Sequence, residues 1–305
     1  MKILIIGNSN IFKKKIYFAL KKFKNIKLEL ASRKKIRDIK FDRIYKSYNK
    51  ALNSTNAKIV YISLINSKHF YWALRALNKN KHVIVDKPLT TNLKDTKKLL
   101  TLARNKKLLL SESIVFHYHK RFKSIFSKIN FKKPIKIIAN FHVPKFNKNN
   151  FRNYSRFGGG CFQDMSAYAC FLIYTFFQNK KYSLISKKII KNGYVNSFNL
   201  YAKSKKITLK ASFSFNSKYK NEISIHNESK IYQLNYFFSP PINKSLNALI
   251  HNVVTKKNYK INYKKQNVFH AYFDHLFKII RNKKYNHFYK EIENVEKIKK
   301  KIIGN

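Results

Sequence analysis

Ile3-Leu4-Ile5-Ile6-Gly7-Asn8-Ser9-Asn10-Ile11-Phe12 opens with four aliphatic residues in a row, then a glycine and a polar turn. An unbroken apolar run, unlike an alternating one, is the pattern of a strand covered on both faces. Beyond the turn, Ile16, Leu20 and Phe23 recur at helical spacing, so the strand feeds a helix. The pattern then repeats. Residues 26–30 read as a second strand, 58–64 as a third followed by a helix near 68–77, 82–85 as a fourth ending in Asp86-Lys87-Pro88, and 108–110 as a fifth. Thr91 stands where it can cap a helix carrying Leu99, Leu100 and Leu102. Strands alternating with amphipathic helices make βαβ units and a parallel sheet.

Residues 1–120 are therefore expected to form a Rossmann-type dinucleotide-binding domain. Ligands of such sheets bind outside the carboxyl ends of the strands, which selects Gly7 and the residues after it, Ser32-Arg33, Asn66, Asp86-Lys87 and Glu112. In the first turn the dinucleotide fingerprint G-x-G-x-x-G keeps only its first glycine: Ser9 holds the second place and Phe12 the third. Ser9 could still approach and hydrogen-bond a pyrophosphate, and Phe12 must fit between helix and strand. The second strand ends Ala31-Ser32-Arg33-Lys34-Lys35. An NAD site offers a carboxylate to the ribose at this point, whereas a hydroxyl and cations suit the 2′-phosphate of NADP.

The chain has 305 residues, enough for one or two domains with a sizeable core. Its charge is unusual: 66 Lys and Arg against 13 Asp and Glu, a net +53. This could mark a nucleic-acid or anionic-surface binder. It could equally follow from a composition rich in Lys, Asn, Ile, Phe and Tyr and poor in Gly, Ala and Pro, since the cations are spread along the chain. No nucleic-acid motif is present, so no specific nucleic acid is expected. Two cysteines, Cys161 and Cys170, are too few for a disulfide framework or a metal site. The N-terminal apolar run is too short for a signal peptide, and the longest apolar run, 169–177, is about half of a membrane span. A cytoplasmic protein without membrane association is expected.

From about residue 121 the period changes to two. Residues 134–142 form a strand; Ile207, Leu209, Ala211 and Phe213 alternate with polar neighbours, and Ile223, Ile225, Tyr232, Leu234, Tyr236, Tyr259, Ile261 and Tyr263 continue the alternation. This predicts a C-terminal α+β domain, residues 121–305, with an open-faced, largely antiparallel sheet. Phe269, Phe273, Leu276 and Ile280 follow at helical spacing. Arg152, on a loop before a triple glycine, could grip a substrate phosphate.

That triple glycine begins Gly158-Gly159-Gly160-Cys161-Phe162-Gln163-Asp164-Met165-Ser166-Ala167-Tyr168, and it holds half of the six glycines of the chain. The residues after it, 161–177, read as a buried helix with Asp164 and Tyr168 on one face. Either Asp164 serves the helix N-terminus and Tyr168 packs in the core, or the pair does chemistry.

Three stretches resemble the glucose–fructose oxidoreductase/inositol dehydrogenase (Gfo/Idh/MocA) family: Ile62-Ser63-Leu64-Ile65-Asn66-Ser67-Lys68-His69, Lys81-His82-Val83-Ile84-Val85-Asp86-Lys87-Pro88, and Gly158 to Tyr168. The chain departs from the family pattern at Ile65, where Pro is usual, at Asp86 (Glu), at Ser166 (Gly) and at Tyr168 (most often His). The resemblance implies NAD(P)-dependent hydride transfer at a hydroxyl or keto carbon of a sugar, cyclitol or sugar nucleotide, and Ser32-Arg33 in place of an acid selects NADP(H) over NAD(H). It implies Lys87, Asp164 and Tyr168 as catalytic and substrate-binding residues, joined by His119 and Arg152 at the substrate. It also implies cofactor contacts from Gly7, Ser9, Asn10, Ile11, Ser32, Arg33, Leu64, Asn66, His69, Asp86, Lys87 and Glu112, with His69 packing or capping rather than reacting. In the family the open sheet face often makes a dimer, so a homodimer or homotetramer through the C-terminal sheet is expected. The alternative is a non-catalytic nucleotide- or partner-binding member of the same fold.

Overall fold

The computed structural model describes residues 1–33, 39–178, 180–191 and 193–304. It divides into two compact units. The first comprises residues 1–113, 156–158 and 269–296, the second residues 114–155, 159–268 and 297–305.

The first unit runs β1 (Lys2–Ile6), α1 (Tyr17–Leu20), β2 (Lys27–Ala31), β3 (Arg43–Tyr45), α2 (Tyr48–Ser54), β4 (Ile59–Ile62), α3 (His69–Asn78), β5 (His82–Val85), α4 (Leu93–Asn105) and β6 (Leu110–Glu112). The six strands form one parallel sheet in the order β3-β2-β1-β4-β5-β6. Ile3 to Ile6 are fully buried, as a two-sided strand requires. The order reverses beside β1, which makes its carboxyl end the topological switch point.

Three local readings change. The helix after β1 begins as a π-helical turn, Phe12–Ile16, before α1. Phe12 is fully buried there, stacked on Phe41 at 6.1 Å and edge-on to Tyr17 at 6.4 Å, so its ring turns into the core. Asn92, rather than Thr91, caps α4: its side chain accepts from Asp95 N. Strand β3 and helix α2 were not expected, because β3 has three residues with two exposed and α2 has seven, too short for a clear period.

The second unit holds α5 (Lys120–Phe126), β7 (Ile135–His142), α6 (Cys161–Phe177), β8 (Ser183–Lys191), β9 (Tyr194–Lys203), β10 (Ile207–Ser214), β11 (Lys220–Asn227), β12 (Lys230–Asn235), β13 (Leu246–Asn252) and β14 (Asn258–Tyr263). The eight strands are ordered β14-β13-β12-β11-β7-β10-β9-β8, and only the β7–β10 pair is parallel. Ile135, Ile137, Ala139 and Phe141 of β7 and Ile207, Leu209, Ala211 and Phe213 of β10 are buried, and α6 lies over β9 and β10. The opposite face carries Lys136, Asn140, Lys210, Ser212 and Asn199. Strands β8, β9 and β13 escaped the sequence reading, and Tyr236 lies beyond β12 at φ 52°.

The C-terminal helical stretch is two helices, α7 (Val268–Asn282) and α8 (Asn286–Gly304). Within the first unit Tyr272 and Phe273 of α7 meet Ser111 and Tyr61, and Tyr289 of α8 donates to the carbonyl of Leu108 at 2.7 Å.

Candidate active site

In the first unit the carboxyl ends of β1, β4, β5 and β6 converge. Gly7 follows β1 with φ +97°, a conformation that disfavours any side chain. A β-carbon there would lie 2.3 Å from the carbonyl oxygen of Ser63, so the turn is wedged against the end of β4. Ser9 Oγ contacts Ser63 Oγ at 2.7 Å and accepts from Phe12 N at 3.1 Å. Asn10 is exposed and Ile11 half-buried.

Asp86, at the end of β5, accepts from Ser63 Oγ at 2.6 Å and from the Tyr61 hydroxyl. Burial raises its pKa, and these two donors oppose the rise. Lys87 follows directly and is half-buried. Glu112, at the end of β6, accepts from Leu89 N at 2.9 Å. Asn66 is buried and donates to the carbonyl of Gly158 at 2.8 Å, while Leu64 is half-buried beside Gly7.

His69 is fully buried, with Nδ1 2.7 Å from the Pro88 carbonyl and Nε2 3.1 Å from that of Leu64. Desolvation lowers its pKa. A neutral ring has one N–H, which the shorter contact puts on Nδ1. It ties the β4 loop to the β5 loop.

At the end of β2, Ser32 is buried and Arg33 exposed, its guanidinium 5.2 Å from the ring centre of Tyr48. Tyr48 in turn meets Trp72 edge-on at 5.2 Å. The acid of β2, Glu29, is turned inward to Lys2 at 3.4 Å and Thr55 at 2.6 Å. Lys34 and Lys35 lie outside the described residues.

These features fit a dinucleotide. The turn keeps its one indispensable glycine and runs into a helix. Asn8 Oδ1 is buried in it without a hydrogen-bond partner among the described residues. A hydroxyl and a guanidinium stand where a 2′-phosphate would fall.

In the second unit Asp164 and Tyr168 lie one turn apart on α6. Asp164 is buried, and Arg152 Nε lies 3.2 Å from its Oδ1. That guanidinium also lies over the rings of Phe146 and Phe151, so Arg152 is held beside Asp164. Gly159 permits this arrangement through space alone: a β-carbon would sit 2.6–2.7 Å from the carbonyls of Phe151, Tyr154 and Arg152. The ring of Tyr168 is packed by Phe116, Phe141 and Phe238 at 5.4–6.4 Å. His119 is buried and caps α5, its Nδ1 accepting from Arg121 N at 3.1 Å. Desolvation, then the nearby Arg121, push its pKa down to about 4, so the ring is neutral at neutral pH.

Residue types alone pointed neither to Ser63, the hub of the Ser9 and Asp86 contacts, nor to the Arg152–Asp164 pair. The carboxyl-end rule could have found the first. The second depends on a fold-back over Gly159 that no spacing announces.

A six-stranded parallel sheet with its ligand end at the switch point defines a Rossmann-type architecture, and a mixed eight-stranded sheet makes the second unit. Residues 1–113 match the GFO_IDH_MocA model, described as an oxidoreductase family with an NAD-binding Rossmann fold. Over 124 residues the chain is 32% identical to a dTDP-3,4-didehydro-2,6-dideoxy-alpha-D-glucose 3-reductase from Saccharopolyspora spinosa. That match spans 40% of this chain and 37% of the relative, little more than a third of its length. The fold is similar to that of a 3-ketoreductase from Actinomadura kijaniata in complex with TDP-benzene and NADP, with TM-score 0.88 at 18% identity over 100% of this chain and 97% of the other. It is also similar to an aldose-aldose oxidoreductase from Caulobacter crescentus, with TM-score 0.80 at 14% identity over 100% and 98% of the two chains. Among the described residues no helix is long and apolar enough to cross a membrane, and no group of three or more His, Cys, Asp or Glu could hold a metal ion.

Proposed function

We propose that this chain is an NADP(H)-dependent oxidoreductase that reduces, or reversibly oxidises, a carbon of a sugar nucleotide. The observation that carries the reading is the Gly7 turn wedged against β4, with Asp86-Lys87 at the neighbouring strand end. The dTDP-sugar 3-reductase activity of the Saccharopolyspora relative and the TDP-benzene bound by the Actinomadura 3-ketoreductase support the substrate class.

Bound NADPH would supply the hydride; the chain's own groups would manage charge and proton. Lys87 stabilises the oxygen that becomes negative as its carbon is reduced. In the second unit Tyr168 O–H is the proton donor of the reaction and the acceptor in the reverse direction. Asp164, oriented by Arg152, accepts a hydrogen bond from a neighbouring substrate hydroxyl and fixes which carbon is presented. Arg33 and Ser32 take the 2′-phosphate.

Trp72 is the one tryptophan of the chain and lies against Tyr48, so its fluorescence reports this corner. NADPH is expected to bind at least ~10-fold tighter than NADH, since a hydrogen bond to a charged group contributes about 1.5–3 kcal/mol. Arg33→Ala should remove most of the difference. Tighter binding of NADH would defeat the NADP assignment.

The open face of the large sheet carries Ile138, Tyr201 and Ile185, the last 63% exposed. We assign it to a homodimer or homotetramer contact. Light scattering should give a multiple of the 36.4 kDa chain mass, lowered by Ile138→Glu. A monomer at micromolar concentration would contradict this.

A further inference from the structure

Ser63 stands out because it meets two residues of the cofactor turn, Gly7 and Ser9, and Asp86 at the end of β5. Its carbonyl is wedged against Gly7, and its hydroxyl lies between Ser9 Oγ and Asp86 Oδ2. The proton arrangement has one solution. Ser63 donates its single hydroxyl hydrogen to the Asp86 carboxylate at 2.6 Å. It must then accept from Ser9, at 2.7 Å. Ser9, having given its hydrogen, accepts from the Phe12 amide at 3.1 Å. The chain therefore runs one way: Phe12 N–H to Ser9, Ser9 to Ser63, Ser63 to Asp86. Its last bond is charge-assisted, which strengthens and orients it. Asp86 is held from the other side by the Tyr61 hydroxyl, which also meets Ser113 Oγ at 3.1 Å.

We propose that Ser63 is a positioning residue for the pyrophosphate-binding turn, anchoring the first helical residues to the Asp86 carboxylate through Ser9. The strut answers the loss of the second fingerprint glycine. With its hydrogen and a lone pair engaged, Ser9 Oγ is turned toward β4, and the side chain that a glycine would lack is drawn away from the turn's ligand side. Residue 63 needs a hydroxyl because the short Asp86 side chain alone does not meet Ser9.

The inference rests on the cofactor reading for its consequence, though not for its structural half, so the test has two readouts. The first is NADPH affinity of Ser63→Ala, Ser9→Ala and the double variant. Each single variant should bind NADPH about 5-fold more weakly, the effect of one hydrogen bond of about 1 kcal/mol, and in Ser63→Ala the loss should fall on KM for NADPH rather than on kcat. Because both remove the same strut, the double variant should be no weaker than the singles. Unchanged affinity in Ser63→Ala, or effects that multiply in the double variant, would overturn the proposal. The second is hydrogen exchange of the Phe12 amide without ligand, which should quicken in Ser63→Ala; an unchanged rate also overturns it. If the unsubstituted protein binds no NADPH while Ser63→Ala still quickens that amide, the strut stands and the cofactor reading fails.

Discussion

Lys87→Ala is expected to lower turnover on a keto-sugar nucleotide by at least ~10²-fold, with a much smaller loss of NADPH affinity. Hydride reaching a carbonyl carbon leaves negative charge on its oxygen. A cation about 4 Å away contributes on the order of 4 kcal/mol at the effective dielectric of a protein site. Each 1.4 kcal/mol or so is about a tenfold rate change. Lys87→Arg keeps the charge and should recover part of the rate. Tyr168→Phe should lose about 10² through the missing proton donor, and it keeps the ring that Phe116, Phe141 and Phe238 pack. Steady-state kinetics against both substrates separates these effects. An active Lys87→Ala enzyme would remove Lys87 from the chemistry.

Glu291→Gln should make the protein more stable at pH 8 by on the order of 3 kcal/mol, with little change at pH 4.5. Glu291 lies on α8, its side chain only 13% exposed. Burial, then the charge of Glu112, push its pKa up to about 8 from the usual 4.5. In the unfolded chain this carboxyl ionises from about pH 4.5, whereas in the folded protein it keeps its proton to about pH 8. The unfolded state therefore binds fewer protons across that window, so stability falls as pH rises from 4.5 to 8 and then levels off. His287 lies 3.8 Å from Glu291 and is 60% exposed, so water screens this contact. Glutamine removes the titration. Urea midpoints of both proteins at the two pH values check the sign; an equal difference at both would refute the account of Glu291.

The sequence carried the fold where burial is two-sided or strictly alternating. Ile3-Leu4-Ile5-Ile6 and His82-Val83-Ile84-Val85 are strands because no other element buries such short runs, and β7 and β10 follow from period two. Strand β3, with two exposed cations or apolar residues and no run, had no such signal. The ligand end of the first sheet was legible because it depends on strand ends, which the sequence marks with Gly7, Ser32 and Asp86. Side-chain pairings were less so. The contact of Arg152 with Asp164 and the capping of α5 by His119 had no signal in the sequence. A cation on a loop carries no pattern that names its partner, and a histidine caps or catalyses according to burial that only the fold fixes.

The most direct test is to mix the protein with NADPH carrying deuterium at the transferred position and a panel of keto-sugar nucleotides, and to follow the label by mass spectrometry. Deuterium on the carbinol carbon of the product, abolished or greatly slowed in Lys87→Ala, is the predicted result. Tight NADPH binding with no label transferred to any member of the panel would contradict the assignment of this chain as a hydride-transferring enzyme.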